Sequence, residues 1–275
     1  MELASPSGML IDAQTKLNLL DCLRNSLEDA CRRLADKFGL YDEAGRPRIA
    51  YITDVLTRYT CPSCAFQALT QTPEPVEVDA IFREIHNLAV MLLAQALRSL
   101  RQRHLNIQDE VEGEYGRLDL LVYRLRGSLL LVQSACSEVI VEVKTNLGFS
   151  LKQVLRYLIE KPNATAIIWR VRKRQILAID GEKHRWLIMS FTASALQQAL
   201  TILNGEFTPC KHKKPKNRPA ELQNPQDMLD DFLTGLIEDL PKVVSAVMQI
   251  IEAKKKTSIT CEGAVSTPQS ESKQR

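Results

Sequence analysis

The chain has 275 residues, of which 45% are hydrophobic and 25% charged, with a formal net charge of +3. These values describe an ordinary globular protein, one large domain or two small ones, able to bury a sizeable core. The near balance of charge excludes a wholly basic nucleic-acid coat, so any nucleic-acid surface must be local; no run approaches the ~20 uninterrupted apolar residues of a membrane-spanning helix, so no membrane partner is expected.

The opening stretch, MELASPSGMLIDAQ, lacks a basic flank and an apolar signal core, so secretion is not expected and a cytoplasmic location is. Seven cysteines are scattered along the chain. In that setting they read as thiols, with metal or cluster ligation open for a subset.

Residues 13–38 predict an amphipathic helix, because Leu20, Leu23, Leu27, Ala30, Leu34 and Phe38 recur at three- and four-residue steps. Such a stripe either packs on the body of the protein or serves a partner or a second copy of the chain. Residues 39–48 read as a loop. Thr53 is a candidate N-cap for a short helix running towards Pro62, with Cys61 and Cys64 in the following CPSC. Residues 78–103 predict a second long helix, carrying His86 beside its apolar stripe.

From Leu105 the period changes. Acids cluster in QDEVEGEYG, and then Leu118–Tyr123, Ser128–Gln133 and Glu138–Lys144 read as consecutive strands, with Arg126-Gly127 as a turn between the first two. Ser150–Glu160 reads as a helix stopped at Lys161-Pro162. Ala164–Val171, Gln175–Ile179 and His184–Phe191 read as strands, and Thr192–Leu203 as a helix stopped by Gly205. Residues 206–227 form a basic, proline-rich linker with Lys211, Lys213, Lys214, Lys216 and Arg218, either a solvated connection or a phosphate-contacting arm. Residues 226–253 predict a third amphipathic helix, which Pro241 should kink or split. The polar tail after Lys254 is expected to be disordered. The order of elements implies an α/β fold bordering on α+β, with one mixed central sheet. The expected segments are an N-terminal helical extension (1–47), a core domain (48–207), the linker (208–225), a C-terminal helix (226–253) and a tail (254–275).

One constellation carries chemistry. Asp119 and Glu142 each sit inside an apolar strand, where an unpaired charge is costly and a metal ion is one way to compensate it. Hard ions such as magnesium and manganese take oxygen ligands. Alternation puts Glu142 and Lys144 on one face of one strand. There Lys144 could orient an attacking water, lower its pKa, or stabilise negative charge building on a phosphate. Gln153 and Tyr157 share one face of the next helix at i and i+4. Each fragment alone is weak, since charged alternation is also what an exposed strand looks like. Order, spacing and context make the set specific.

The set resembles the PD-(D/E)xK nuclease superfamily, and more narrowly the RecB-type exonucleases and their CRISPR-associated relatives. The resemblance covers roughly residues 48–210 and is strongest over 116–157. It implies a restriction-endonuclease-like fold and a magnesium- or manganese-dependent deoxyribonuclease. Asp119, Glu142, Lys144, Gln153 and Tyr157 would be catalytic, with His86, Asp119 and Glu142 as metal ligands. It also implies a cysteine-bound iron–sulfur cluster, and here the sequence departs from the pattern. Cluster ligation takes four cysteines. Cys61, Cys64 and Cys210 give three, with His212 as a further donor, and no Cys-x-x-Cys follows the core. A cluster or a zinc site is therefore not the favoured expectation. Arg117, Lys152, Arg156, Lys211, Lys213 and Lys214 are candidate DNA contacts. The expected activity is exonucleolytic, on single strands or ends. The alternatives are a structure-specific endonuclease and a non-catalytic module that binds nucleic acid or recruits a partner through the flanking helices.

Overall fold

The computed structural model describes residues 12–71, 80–100, 105–124, 138–145, 150–205, 207–208 and 225–262. The expected strand Ser128–Gln133, the turn at Arg126-Gly127, and the linker lysines Lys211, Lys213 and Lys214 lie outside these residues, as do Cys210 and His212.

Helices α1 (Ala13–Phe38), α2 (Ile49–Arg58), α3 (Pro62–Thr70) and α4 (Ala80–Ser99) precede strands β1 (Leu105–Gly113), β2 (Gly116–Arg124) and β3 (Glu138–Lys144). Helix α5 (Leu151–Glu160), strands β4 (Thr165–Arg170) and β5 (Gln175–Asp180), and helices α6 (Arg185–Asn204) and α7 (Pro225–Glu262) follow. The fold is mixed α/β. Among the described residues five strands form one sheet in the order β1-β2-β3-β4-β5, antiparallel except between β3 and β4. That one parallel pair is the consequence of α5, a crossover that returns the chain to the same end of the sheet.

Alternation along the strands divides the apolar residues between two helical layers. Val139, Val141, Val143, Ile167 and Trp169 pack with α4 and α7. Ile140, Ala166 and Ile168 pack with α1, α2, α5 and α6. The stripe on α1 is spent inside the chain: Leu20, Leu27 and Leu34 are fully buried in the same cluster as Ile188, Ala195, Ala199 and Ile202 of α6. Asp12 caps α1 by accepting the Thr15 N–H at 2.9 Å. Helix α7 closes the other layer with Phe232, Val243, Val247 and Ile251. Its Gly235 lies so close to the Val171 carbonyl that a Cβ there would collide with it.

Several expectations are corrected. Strand β1 falls on the acidic stretch that alternation did not mark as a strand. Among the described residues it pairs only with β2, and it turns Asp109, Glu110 and Glu112 to solvent, as an edge strand can. Thr53 is not an N-cap; α2 begins at Ile49, and Thr53 is buried in its middle against Cys31. His184–Phe191 is not a strand. Arg185 opens α6, and the buried set Arg185, Ile188, Met189, Thr192, Ala195, Ala199 and Ile202 keeps the helical step. Within HRWLIMSF the four residues Trp186–Met189 are all apolar, so a short run like this does not tell strand from helix and only the packing decides. Helix α6 is long and apolar enough to cross a membrane by length and composition, while one face of it lies in the core. Helix α7 runs through Pro241 without a break and continues past Lys254 to Glu262, where a disordered tail was expected. Pro241 leaves the Ile237 carbonyl without its helical donor, and Ile237 is 72% exposed, so water can take that place.

Candidate metal and phosphate centre

Strands β2 and β3, the N-terminal half of α5 and one side of α4 meet at the carboxyl end of β3. The backbone there is irregular. In β1 and β2, Ile107 and Val122 face α4 and α7, whereas Val111 and Leu118 face the other layer. An even number of residues separates each pair, so alternation has slipped by one between them. The slip falls at Glu110, whose φ is 52°, and at Asp119, the two positions that the ladder of paired residues skips. The slip swings Asp119 towards β3. Its Oδ2 accepts the Val143 N–H at 2.7 Å, just past the last β2–β3 pair, Leu120 with Val141. Its Oδ1 lies 3.2 Å from Nε2 of His86 on α4.

Glu142 is 1% exposed. Lys144 donates to its Oε1, while Oε2 is buried with no hydrogen-bond partner among the described residues. Burial, reinforced by the Asp119 charge, raises the Glu142 carboxyl to about 7, although Lys144 pulls it down. A buried carboxylate beside a second carboxylate, with one oxygen uncompensated, is a site short of positive charge.

Lys144 is held from two sides. Besides Glu142, its Nζ donates to Oε1 of Gln153 at 2.9 Å. The Gln153 amide donates to the Tyr157 hydroxyl oxygen at 2.7 Å, and Tyr157 donates to the Arg117 carbonyl at 2.9 Å. The carbonyl can only accept, so the Tyr157 proton must go to it and the phenol oxygen must accept from Gln153. That fixes the amide, and its carbonyl is left facing Lys144. Burial pushes the Tyr157 hydroxyl up, so it keeps its proton. Gly116, at φ 141°, admits the Tyr157 ring; a Cβ there would lie 3.1 Å from the ring edge.

The structure thus brings together Asp119, Glu142, Lys144, Gln153, Tyr157 and His86. The other expected residues fare differently. Lys152 donates to the Thr57 carbonyl at 2.6 Å and Arg156 pairs with Asp54, so both tie α5 to α2. Arg117 lies 3.7 Å from Glu110 and is more than half exposed. Cys61 precedes α3 at the N-cap position without a side-chain capping bond, and Cys64 stands in the first turn, both half-buried. Two features escaped the sequence reading: the Val143 N–H, since no sequence signal marks a slipped ladder, and Arg170, which sits beside Lys144 in the parallel register of β3 and β4.

Among the described residues no group of three or more His, Cys, Asp and Glu side chains is gathered at metal-holding distance. His86 and Asp119 face one another, and Lys144 occupies one Glu142 oxygen. The donor types nonetheless suit a hard divalent cation: two carboxylates, one with a bare buried oxygen, and an imidazole at their rim. Comparison with protein-family models, with curated proteins and with solved structures returns no match.

Proposed function

We propose that the protein is a metal-dependent deoxyribonuclease of the PD-(D/E)xK type, with a restriction-endonuclease-like core. The observation that carries this reading is the buried Glu142, one oxygen bare and the other on Lys144, beside an Asp119 carboxylate that a backbone N–H holds in place. The sheet supports it as well, with β1, β2 and β3 as an antiparallel meander and α5 crossing to a parallel β4.

Asp119 and Glu142 would hold magnesium or manganese, with His86 turning from Asp119 to complete the set. The ion would supply Lewis-acid polarisation of a phosphate oxygen and a more acidic water. Lys144 places its ammonium where charge builds on the phosphate, and Gln153 and Tyr157 keep it there. The low dielectric around Glu142 strengthens each of these interactions. An exonucleolytic action on single strands or ends is the mode we favour.

The test is incubation of purified protein with end-labelled single- and double-stranded DNA and magnesium or manganese, beside Lys144→Ala and Asp119→Ala. Metal-dependent cleavage lost in both variants is the expected result. Activity that survives both substitutions overturns the assignment, and the absence of any cleavage by the wild type leaves a nucleic-acid-binding module as the better reading.

A further inference from the structure

We infer that Arg170 is a phosphate-positioning residue that extends the catalytic row across the sheet; this rests on the nuclease reading above. The register pairs Lys144 of β3 with Arg170 of β4, and Arg170 with Gln175 of β5. Residues in such register share a face and stand about 4.8 Å apart from strand to strand. The face is the one that carries Glu142 and Lys144, because Ile168, two residues before Arg170, packs in the same layer as Ile140. Arg170 donates from Nη1 to Oε1 of Gln175 at 2.8 Å; its side chain is half-buried, with Nε enclosed and the terminal nitrogens at the rim. Lys144, Arg170 and Gln175 therefore form a polar row along the end of the sheet, beyond the apolar residues that α5 and α6 cover.

A nucleic-acid strand whose scissile phosphate faces Lys144 is bound more tightly and in register when its neighbouring phosphate is held too. A guanidinium suits that task. It is always charged, and its planar fork takes two phosphate oxygens at once. Gln175 orients the fork from the far side. Two of the cations expected to do this from sequence, Lys152 and Arg156, are bonded to α2 instead. Arg170 touches no reacting atom in this scheme and acts by placing the strand.

The experiment measures binding of a fluorescent single-stranded DNA by anisotropy in EDTA, across a salt series, for wild type, Arg170→Ala and Arg170→Lys. Cleavage rates with manganese are measured in parallel. Arg170→Ala should weaken binding by roughly tenfold and reduce the slope of log affinity against log salt by about 0.7, the share of one single-strand phosphate. KM should rise by a similar factor while kcat stays within about threefold. Arg170→Lys should recover the salt slope and only part of the affinity, since it keeps the charge and loses the fork. A merely structural arginine would leave the salt slope unchanged. If wild type cleaves and binds DNA but Arg170→Ala matches its affinity and slope, this inference is overturned and the nuclease reading stands. If wild type neither cleaves nor binds, both fall.

Discussion

Asp119 accepts the Val143 N–H at 2.7 Å, so a side-chain oxygen finishes a ladder whose backbone pairing has ended one residue earlier. The bond fixes one carboxylate oxygen and leaves the other towards His86. Asp119→Asn keeps an acceptor and removes the charge. Metal-dependent cleavage should fall by at least ~100-fold, the scale of losing a charge that acts in the transition state. Stability should change by no more than about 1 kcal/mol, the difference between a charged and a neutral hydrogen bond. Cleavage assays and thermal denaturation of the same preparation check both; an Asn variant as active as wild type would remove Asp119 from the site.

Tyr157→Phe deletes one oxygen and with it both the bond to Arg117 and the constraint on Gln153. The amide can then turn its NH2 towards Lys144, which repels it. Folding should weaken by about 1–2 kcal/mol for the lost buried bonds. The turnover rate should drop roughly tenfold, because Lys144 is then held by Glu142 alone. Chemical denaturation and single-turnover cleavage separate the two effects.

Glu142 gives the protein a pH signature. Its carboxyl is raised in the folded state from 4.5 to about 7, chiefly by burial. The protonated form is therefore the one that folding favours. Its full contribution is present below about pH 4.5 and is lost as pH rises through about 7. Across that window the loss is on the order of 3 kcal/mol, from about 1.4 kcal/mol per pKa unit. Melting curves in EDTA should show this decline for wild type relative to Glu142→Gln, which has no such titration. Added magnesium or manganese should shrink the decline by stabilising the ionised carboxylate. Parallel pH profiles for the two proteins would count against a buried, uncompensated Glu142.

Gly116→Ala combines a disfavoured φ of 141° with a Cβ 3.1 Å from the Tyr157 ring. The expected cost is about 1–3 kcal/mol of stability, as for other strained backbone positions. Tyr157 should shift with it, so activity should fall alongside. Denaturation midpoints for the single variants and for the Gly116→Ala, Tyr157→Phe double variant test whether the strain accounts for the loss alone.

Arg156→Ala should act on folding rather than on DNA. The Arg156 side chain is 11% exposed and pairs with Asp54, which also pairs with Arg58, so its removal leaves the carboxylate with one of its two partners. A loss of about 1–2 kcal/mol is expected, the scale of one charged hydrogen bond. The salt slope of DNA binding should match that of wild type. A changed slope would restore Arg156 to the DNA-contact role that its sequence position suggested.

What the sequence determined by itself was local and periodic. The stripe of Leu20, Leu27 and Leu34 made α1, alternation put Glu142 and Lys144 on one face of β3, and the i, i+4 spacing joined Gln153 to Tyr157. These follow from helix and strand geometry, which needs only neighbouring residues. The tertiary structure decided what depends on distant partners. It turned HRWLIMSF into the start of α6, because the buried side chains there step helically against α1. It made β1 an edge strand that can carry acids on its open face. Contacts across the chain put His86 on Asp119, drew Arg156 to Asp54, and set Arg170 beside Lys144. A cation's role depends on which carboxylate or carbonyl packing brings within reach, and residues 102 positions apart, such as Arg156 and Asp54, leave no periodic trace of that meeting.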